Sequence, residues 1–184
     1  MILIGTQNQG KVRELQNLLS DTEIQQLPED APDVVEDRGT LTGNARKKAE
    51  TYNDLYDVPT IADDSGLEVN AMGMRPGVKT ARFAGEDATT TENIDKLLSE
   101  MKGQDYRSAQ FRTVIAFTRG GSTKIFQGRC TGFITRERRG NNGFGYDPVF
   151  TPTGDQTFAE MSEAEKNKFS HRRKALERFK EFIT

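Results

Sequence analysis

The residues best suited to chemistry in this 184-residue chain fall in four short stretches. Gly5-Thr6-Gln7-Asn8-Gln9-Gly10-Lys11 has the G-x-x-x-x-G-K spacing of a phosphate-cradling loop, but Val12 stands where such a loop needs Ser or Thr to hold Mg²⁺. The physical basis of an anion site survives, because backbone N–H groups at a helix N-terminus plus a lysine attract phosphate oxygens. The alternative is a strand-to-helix turn with Asn8 as cap and Lys11 on the surface. Asp63-Asp64-Ser65-Gly66 follows an apolar run and reads as a strand end. Adjacent carboxylates repel, and a cation there would offset the repulsion. The competing reading is a turn in which Asp and Ser cap neighbouring amides and Gly66 supplies positive φ.

The third stretch, Arg139 to Pro148, holds Gly140, Gly143 and Gly145 with Phe144, Tyr146 and Asp147. Its glycines open the backbone to close approach, and its aromatics offer a flat face to a nucleobase; a tight loop packed by its own aromatics is the other option. The fourth runs from Lys166 to His171 and Arg172 on the last expected helix. Helical facing does not align these three, so side-chain reach must bring them together. A purely structural role for the single histidine is the alternative.

These stretches punctuate an alternation of strands and helices. Met1–Ile4 reads as a buried strand, and Val12, Leu15, Leu18 and Leu19 form one face of a following helix. Ile24 and Leu27 mark a second strand. A helix from Thr40 carries Ala45, Lys48, Ala49, Tyr52 and Leu55 at helical spacing, and a strand over residues 59–62 leads into the Asp pair. Residues 73–85 read as a loop, and Thr90 opens a helix with Ile94, Leu97, Leu98 and Met101 inward. Ser108–Thr118 alternates like a half-exposed strand, Gly120-Gly121 closes a hairpin, and Gly128 and Gly132 suggest bulges in the return strand, Lys124–Thr135. After a short strand at Pro148–Phe150, one helix runs from the Ser162-x-x-Glu165 capping box to the end, with Phe169, Arg173, Leu176, Phe179 and Ile183 inward. The expected fold is α/β: a mixed central β-sheet flanked by helices, two lobes with a cleft between them, in one domain over residues 1–184.

Composition narrows the function classes. Twenty-six Lys plus Arg against 28 Asp plus Glu give a net charge of −2. With a pI near 5.6 and no basic stripe across several elements, a nucleic-acid partner is not expected. The longest apolar runs, Met1–Ile4 and Val114–Phe117, fall far short of the roughly 20 residues of a membrane span, and no charged leader precedes them, so a soluble cytoplasmic protein is expected. One cysteine, Cys130, and one histidine cannot build an internal disulfide or a Cys/His zinc cluster. Any metal must be held by carboxylates, which favours Mg²⁺ or Mn²⁺. The small net charge hides an uneven distribution: residues 21–37 hold seven acids and no base, whereas residues 166–180 hold seven bases and one acid.

Taken in order, the motifs resemble the Ham1/inosine triphosphate pyrophosphatase family, in its bacterial form. The resemblance spans nearly the whole chain. It rests on Thr6, Asn8 and Lys11 (T-x-N-x-x-K), Asn44, Ala45, Lys48 and Ala49 (N-A-x-x-K-A), A-D-D-S-G-L at residues 62–67 and P-G-x-x-x-A-R-x-A-G at 76–85. It continues through G-F-G-Y-D-P at 143–148 and the T-x-A-E-M and E-K-x-x-x-S-H-R blocks between Thr157 and Arg172.

The resemblance implies hydrolysis of deaminated purine triphosphates (ITP, dITP, XTP) to the monophosphate and pyrophosphate with Mg²⁺, Mn²⁺ serving as a substitute, in a homodimer. It implies that Thr6, Gln7, Asn8, Gln9, Gly10 and Lys11 cradle the triphosphate and that Lys48 adds positive charge. Asp64 is implied as metal ligand and base, with Asp63 in support. Ser65, Phe144, Gly145, Tyr146, Asp147, Lys166, His171 and Arg172 are implied to line the nucleotide and base pocket. Many relatives carry Glu immediately before the motif asparagine, where this chain has Gly43, so the second acidic metal role is transferred to Glu36. Glu36 is then expected to meet Lys166 and Arg172 across the cleft. A Maf-like pyrophosphatase acting on other modified nucleotides is the alternative within the same chemistry, and a non-catalytic nucleotide-binding module the alternative outside it. The S-H-R block argues against the first, and Asp63, Asp64 and Lys11 together against the second.

Overall fold

In a computed structural model that describes residues 1–184, β1 (Ile2–Ile4) is buried at every position and lies between β2 (Ile24–Gln26) and β3 (Thr60–Val69), parallel to both. Parallel strands covered on both faces carry unbroken apolar runs, which is why Ile2-Leu3-Ile4 needs no alternation. The sheet continues through β5 (Ser108–Arg119) and β6 (Ser122–Ile134) to β7 (Phe150–Thr151), in the order β2-β1-β3-β5-β6-β7, with β4 (Arg75–Pro76) antiparallel to β3. β7 is antiparallel to β6, so the sheet is mixed as expected.

The hairpin turn is Gly120-Gly121, both with positive φ (55° and 72°), the conformation that two-residue turns require to match strand twist. β5 is half-exposed only in its first part: Ala109 and Phe111 alternate with partly exposed neighbours, whereas every residue from Thr113 to Thr118 is buried.

Four expectations change, one being that the strand read at Pro148–Phe150 is a 3₁₀ turn over Asp147–Val149 leading into β7. The Asp pair does not end a strand: β3 runs through residues 60–69, leaving Asp63 and Asp64 in its middle. Gly66 supplies no turn there. A Cβ on it would meet Gly77 O at 2.5 Å, so its role is close approach between two backbone segments. The 73–85 loop contains β4 and a 3₁₀ segment at Gly77–Arg82. The C-terminal helix is two helices, α4 (Glu163–Phe169) and α5 (His171–Ile183), parted at Ser170, whose ψ of 122° is extended. That break resets the helical phase. The buried face of α5 is therefore Arg172, Ala175, Leu176 and Phe179, while Arg173 and Ile183 are exposed.

The remaining helices are α1 (Gln9–Leu18), α2 (Leu41–Tyr56) and α3 (Thr90–Glu100). The chain divides into two compact units. The first comprises Met1–Asp64, Thr113–Gly128 and Arg172–Thr184; the second comprises Ser65–Arg112 and Arg129–His171. Ile2, Ile4, Val12, Leu15, Leu19, Ile61, Ile115, Phe117, Leu176 and Phe179 form the core of the first, and Leu67, Val69, Ile94, Leu97, Phe111, Val149, Phe150 and Phe158 belong to that of the second.

Candidate active site

In the first unit, α1, α2 and α5 direct charged side chains onto the two aspartates of β3. Of the strand-to-helix turn read for the Gly5–Lys11 loop, the cap is present and the surface lysine is not. Asn8 caps α1, its Oδ1 accepting from Gly10 N at 3.0 Å and Lys11 N at 3.2 Å, which satisfies two of the amides a helix start otherwise leaves open. Lys11, however, is not a surface residue. Its ammonium lies 3.3 Å from Asp63 Oδ2, and its side chain is only 14% exposed. Thr6 Oγ1 accepts from Asn8 N, Gln7 donates from Nε2 to Ala31 O at 2.9 Å, and Gln9 reaches back to Gln7 O. The loop is thus braced from within, and Lys11 is its charged contribution.

Asp63 is fully buried and held by two cations. Arg172 Nε donates to its Oδ2 at 3.3 Å, and the same guanidinium pairs with Glu14 on α1. Burial alone would raise the Asp63 pKa, but Lys11, Arg172 and Lys48 outweigh it and drive the group well below the usual carboxylate range. Asp64 differs although it is the next residue. Burial pushes its pKa up to about 6; Lys48, Lys11 and a hydrogen bond from Asn44 oppose the shift, while the charge of Glu36 adds to it. Asn44 Nδ2 donates to Asp64 Oδ2 at 3.0 Å.

Lys48, one helical turn after Asn44, donates to Glu36 Oε1 at 2.6 Å. Desolvation works against its ammonium, but Asp64, Asp63 and Glu36 together raise its pKa. Lys11 moves the other way, because burial and the nearby Lys48 and Arg172 outweigh the aspartates. The cluster therefore pairs a carboxylate held well below its ordinary pKa, Asp63, with one raised to about 6, Asp64. Adjacent titrating groups pushed apart in this way divide acid and base roles. No group of three or more His, Cys, Asp or Glu residues forms a ready cage for a metal. Asp64 and Glu36 are two hard oxygen donors that sense each other's charge, a donor set suited to Mg²⁺, which takes one or two carboxylates and completes its octahedron with waters and phosphate oxygens.

In the second unit, Asp147 closes the Gly-rich loop. Its Oδ2 accepts from Phe144 N at 2.9 Å and from Lys166 Nζ at 2.7 Å. Lys166 also lies over the Phe144 ring, 4.9 Å from its centroid, while Gly145 takes positive φ (59°) between Phe144 and Tyr146. Tyr146 does not offer a flat face: it is buried in the core and donates its hydroxyl to Thr80 O at 2.9 Å. Phe144, 38% exposed, is the aromatic left to do so. His171 is buried and stacks on Phe111, with ring centroids 4.9 Å apart and planes 12° from parallel. Ser65 is half-buried on β3.

Of the three residues expected to meet, Glu36 pairs with Lys48, Lys166 with Asp147, and Arg172 with Asp63 and Glu14. Two participants carry little sequence signal, Phe111 reading only as an apolar strand position and Glu14 having none; Asn44 belongs to the N-A-x-x-K-A motif, which does not reveal its contact with Asp64.

Comparison with known proteins identifies the family. The dITP/XTP pyrophosphatase of Desulfotalea psychrophila is 48% identical over 186 residues, covering 98% of this chain and 83% of the relative. That of Shouchella clausii is 45% identical over 190 residues, covering 99% and 96%. Among solved structures, a HAM1 protein from Coxiella burnetii superposes with a TM-score of 0.90 at 40% identity, covering 99% of this chain and 97% of the other. The Staphylococcus aureus Ham1 protein gives 0.89 at 38% identity with the same coverage. The family model of the Ham1 family matches residues 2–182, and the chain belongs to that family.

Proposed function

We propose that this protein hydrolyses deaminated purine nucleoside triphosphates, ITP, dITP and XTP, to the nucleoside monophosphate and pyrophosphate, and so clears them from the nucleotide pool. The observation that carries the reading is the buried Asp64, with its pKa near 6, set between Lys48, Lys11 and Glu36. Such a carboxylate accepts a proton at neutral pH, and the lysines supply charge for a polyanionic tail. The names of the dITP/XTP pyrophosphatases that resemble the chain over its full length support the same chemistry.

In this reading the Thr6–Lys11 loop and Lys48 hold the triphosphate. Water attacks the α-phosphorus, Asp64 Oδ takes its proton, and the bond from the α-phosphorus to the bridging oxygen breaks with pyrophosphate leaving. Asp63 stays ionised and orients Lys11. Mg²⁺, with Mn²⁺ as a substitute, would be held by Asp64 and Glu36 and supplies positive charge to the phosphoryl oxygens. Phe144, Asp147, Lys166 and His171 line the base subsite, and Ser65 adds a hydroxyl at the nucleotide. Arg172 acts chiefly by holding Asp63. A 6-oxo purine presents an acceptor to such donors, whereas adenine presents an amino group that leaves them unpaired, at a cost of about 1–3 kcal/mol. The protein is proposed to work in the cytoplasm as a homodimer.

The deciding experiment supplies Mg²⁺ and ITP, XTP, dITP, GTP, ATP or dUTP in ¹⁸O-labelled water. The expected products are pyrophosphate and a monophosphate carrying the label. Orthophosphate release, or label in pyrophosphate, overturns the site of attack; equal rates on ATP overturn the selectivity; dUTP as the favoured substrate would support the Maf-like alternative.

A further inference from the structure

Asn44 has no part in the chemistry above, yet it is completely buried on α2. Both ends of its amide are engaged. Nδ2 donates to Asp64 Oδ2 at 3.0 Å, and Oδ1 accepts the backbone N–H of Arg38, also at 3.0 Å. Arg38 lies two residues beyond Glu36, whose carboxylate reaches Lys48 on the same helix face as Asn44. One planar side chain therefore ties the segment carrying Glu36 to the strand carrying Asp64. A leucine would fill this inward helical position without the cost of burying an amide, about 1–3 kcal/mol for each group left unmatched. An amide satisfied at both ends is the group that specifies a distance.

We infer that Asn44 is a positioning residue that fixes the Glu36 segment against Asp64 and so sets the spacing of the two carboxylates that receive the divalent cation. This rests on the hydrolytic reading proposed above. Groups that orient metal-bearing carboxylates from behind are worth roughly 10–100-fold in metal affinity or activity.

The test uses Asn44→Leu, which keeps the branched shape at a somewhat larger volume, and Asn44→Ala, which leaves room. Mn²⁺ binding is followed without nucleotide, from the electron paramagnetic resonance signal of the free ion, and Mg²⁺-dependent pyrophosphate release from ITP is measured in parallel. Both variants are expected to lose about 10–100-fold in Mn²⁺ affinity and to need correspondingly more Mg²⁺ for half-activation, with KM for ITP little changed at saturating Mg²⁺. A folded variant that binds Mn²⁺ as tightly as the parent overturns the inference.

Should neither variant fold, hydrogen exchange on the unaltered protein decides. The Arg38 amide is expected to exchange slowly although it lies in an exposed segment, and exchange as fast as an unbonded loop amide overturns the link. Parent protein that binds Mn²⁺ but releases no pyrophosphate refutes the hydrolytic reading and leaves Asn44 as the organiser of a cation site. Parent protein that is active while the variants bind Mn²⁺ normally refutes only the role of Asn44.

Discussion

The two units hold their functional side chains by different means. Around Asp63 and Asp64, nearly every polar group is fixed by another charge or amide: Lys11, Arg172, Glu14, Lys48, Glu36 and Asn44. Around Asp147 the buried ion pair with Lys166 is set among aromatic contacts: Phe144 under Lys166, and His171 stacked on Phe111, which itself packs against Phe150 and Phe158. Charge networks set protonation states as well as positions, whereas aromatic stacking sets position and shape only. The first arrangement suits proton transfer and phosphate chemistry, and the second suits recognition of a flat base. Substitutions in the first unit should therefore change rate, metal dependence and pH behaviour, and those in the second should change KM.

The largest effect is expected for Asp64→Asn, which removes the proposed proton acceptor and one of the two oxygen donors proposed for the cation. Pyrophosphate release should fall roughly 10²–10⁴-fold, with the melting temperature maintained or raised. Lys48→Met comes next. It removes the cation that Glu36 and Asp64 share; because Glu36 is 29% exposed, the cost should fall below the roughly 3–5 kcal/mol of breaking a fully buried pair, readable as a lower urea midpoint. Added Mg²⁺ should restore more stability to this variant than it adds to the parent, because the ion replaces the lost charge; equal gains would separate Lys48 from the cation site.

The pH dependence follows from the same two aspartates, with opposite signs. Asp64 has a folded pKa of about 6 against an ordinary value of 3.8, so the folded state holds a proton that the unfolded chain has already lost. Its ionisation costs no stability below pH 4; the cost grows between pH 4 and 6 and is complete above 6, approaching roughly 3 kcal/mol. In chelator, Asp64→Asn should melt higher than the parent at pH 7–8, and the two should converge near pH 4. Asp63, with its pKa lowered, stabilises the fold above pH 4 and withdraws that support as pH falls further. Both proteins share this acid loss, so their difference isolates Asp64.

The comparison also explains what the sequence could reveal. Val12, Leu15 and Leu19 on α1, and Ile94 and Leu97 on α3, follow the helical period because their only task is to fill a core. The Asp pair was recognisable as chemistry, but its setting was not. Aspartates and a glycine in succession resemble a turn, and β3 carries them through its middle because Lys11 and Arg172, the latter 109 residues away in sequence, neutralise Asp63. The break at Ser170 was hidden for a related reason. A single unbroken helix would put Phe169, Arg173, Leu176, Phe179 and Ile183 on one inward stripe, and only the partners Glu14 and Asp63 show that the phase shifts to bury Arg172 in place of Arg173. Long-range charge pairing leaves no periodicity to read, whereas apolar burial does.

The smaller effects belong to the aromatic unit and test whether position alone is at stake there. Phe111→Leu keeps an apolar filler on β5 but removes the ring stacked on His171, an interaction worth about 0.5–1.5 kcal/mol beyond the area it covers. KM for ITP should rise several-fold while kcat, its pH profile and Mg²⁺ half-activation stay as in the parent. Phe144→Leu removes the ring beneath Lys166 at an exposed position, where cation–π attraction contributes only about 0.5–1 kcal/mol, so its KM shift should be no larger. A change in pH profile or Mg²⁺ dependence from either substitution would mean that the aromatic unit also tunes charge, and the division of labour between the two units would fail. A KM change without either would leave it standing, because a stacked ring can hold His171 in place without altering the proton affinity of Asp64.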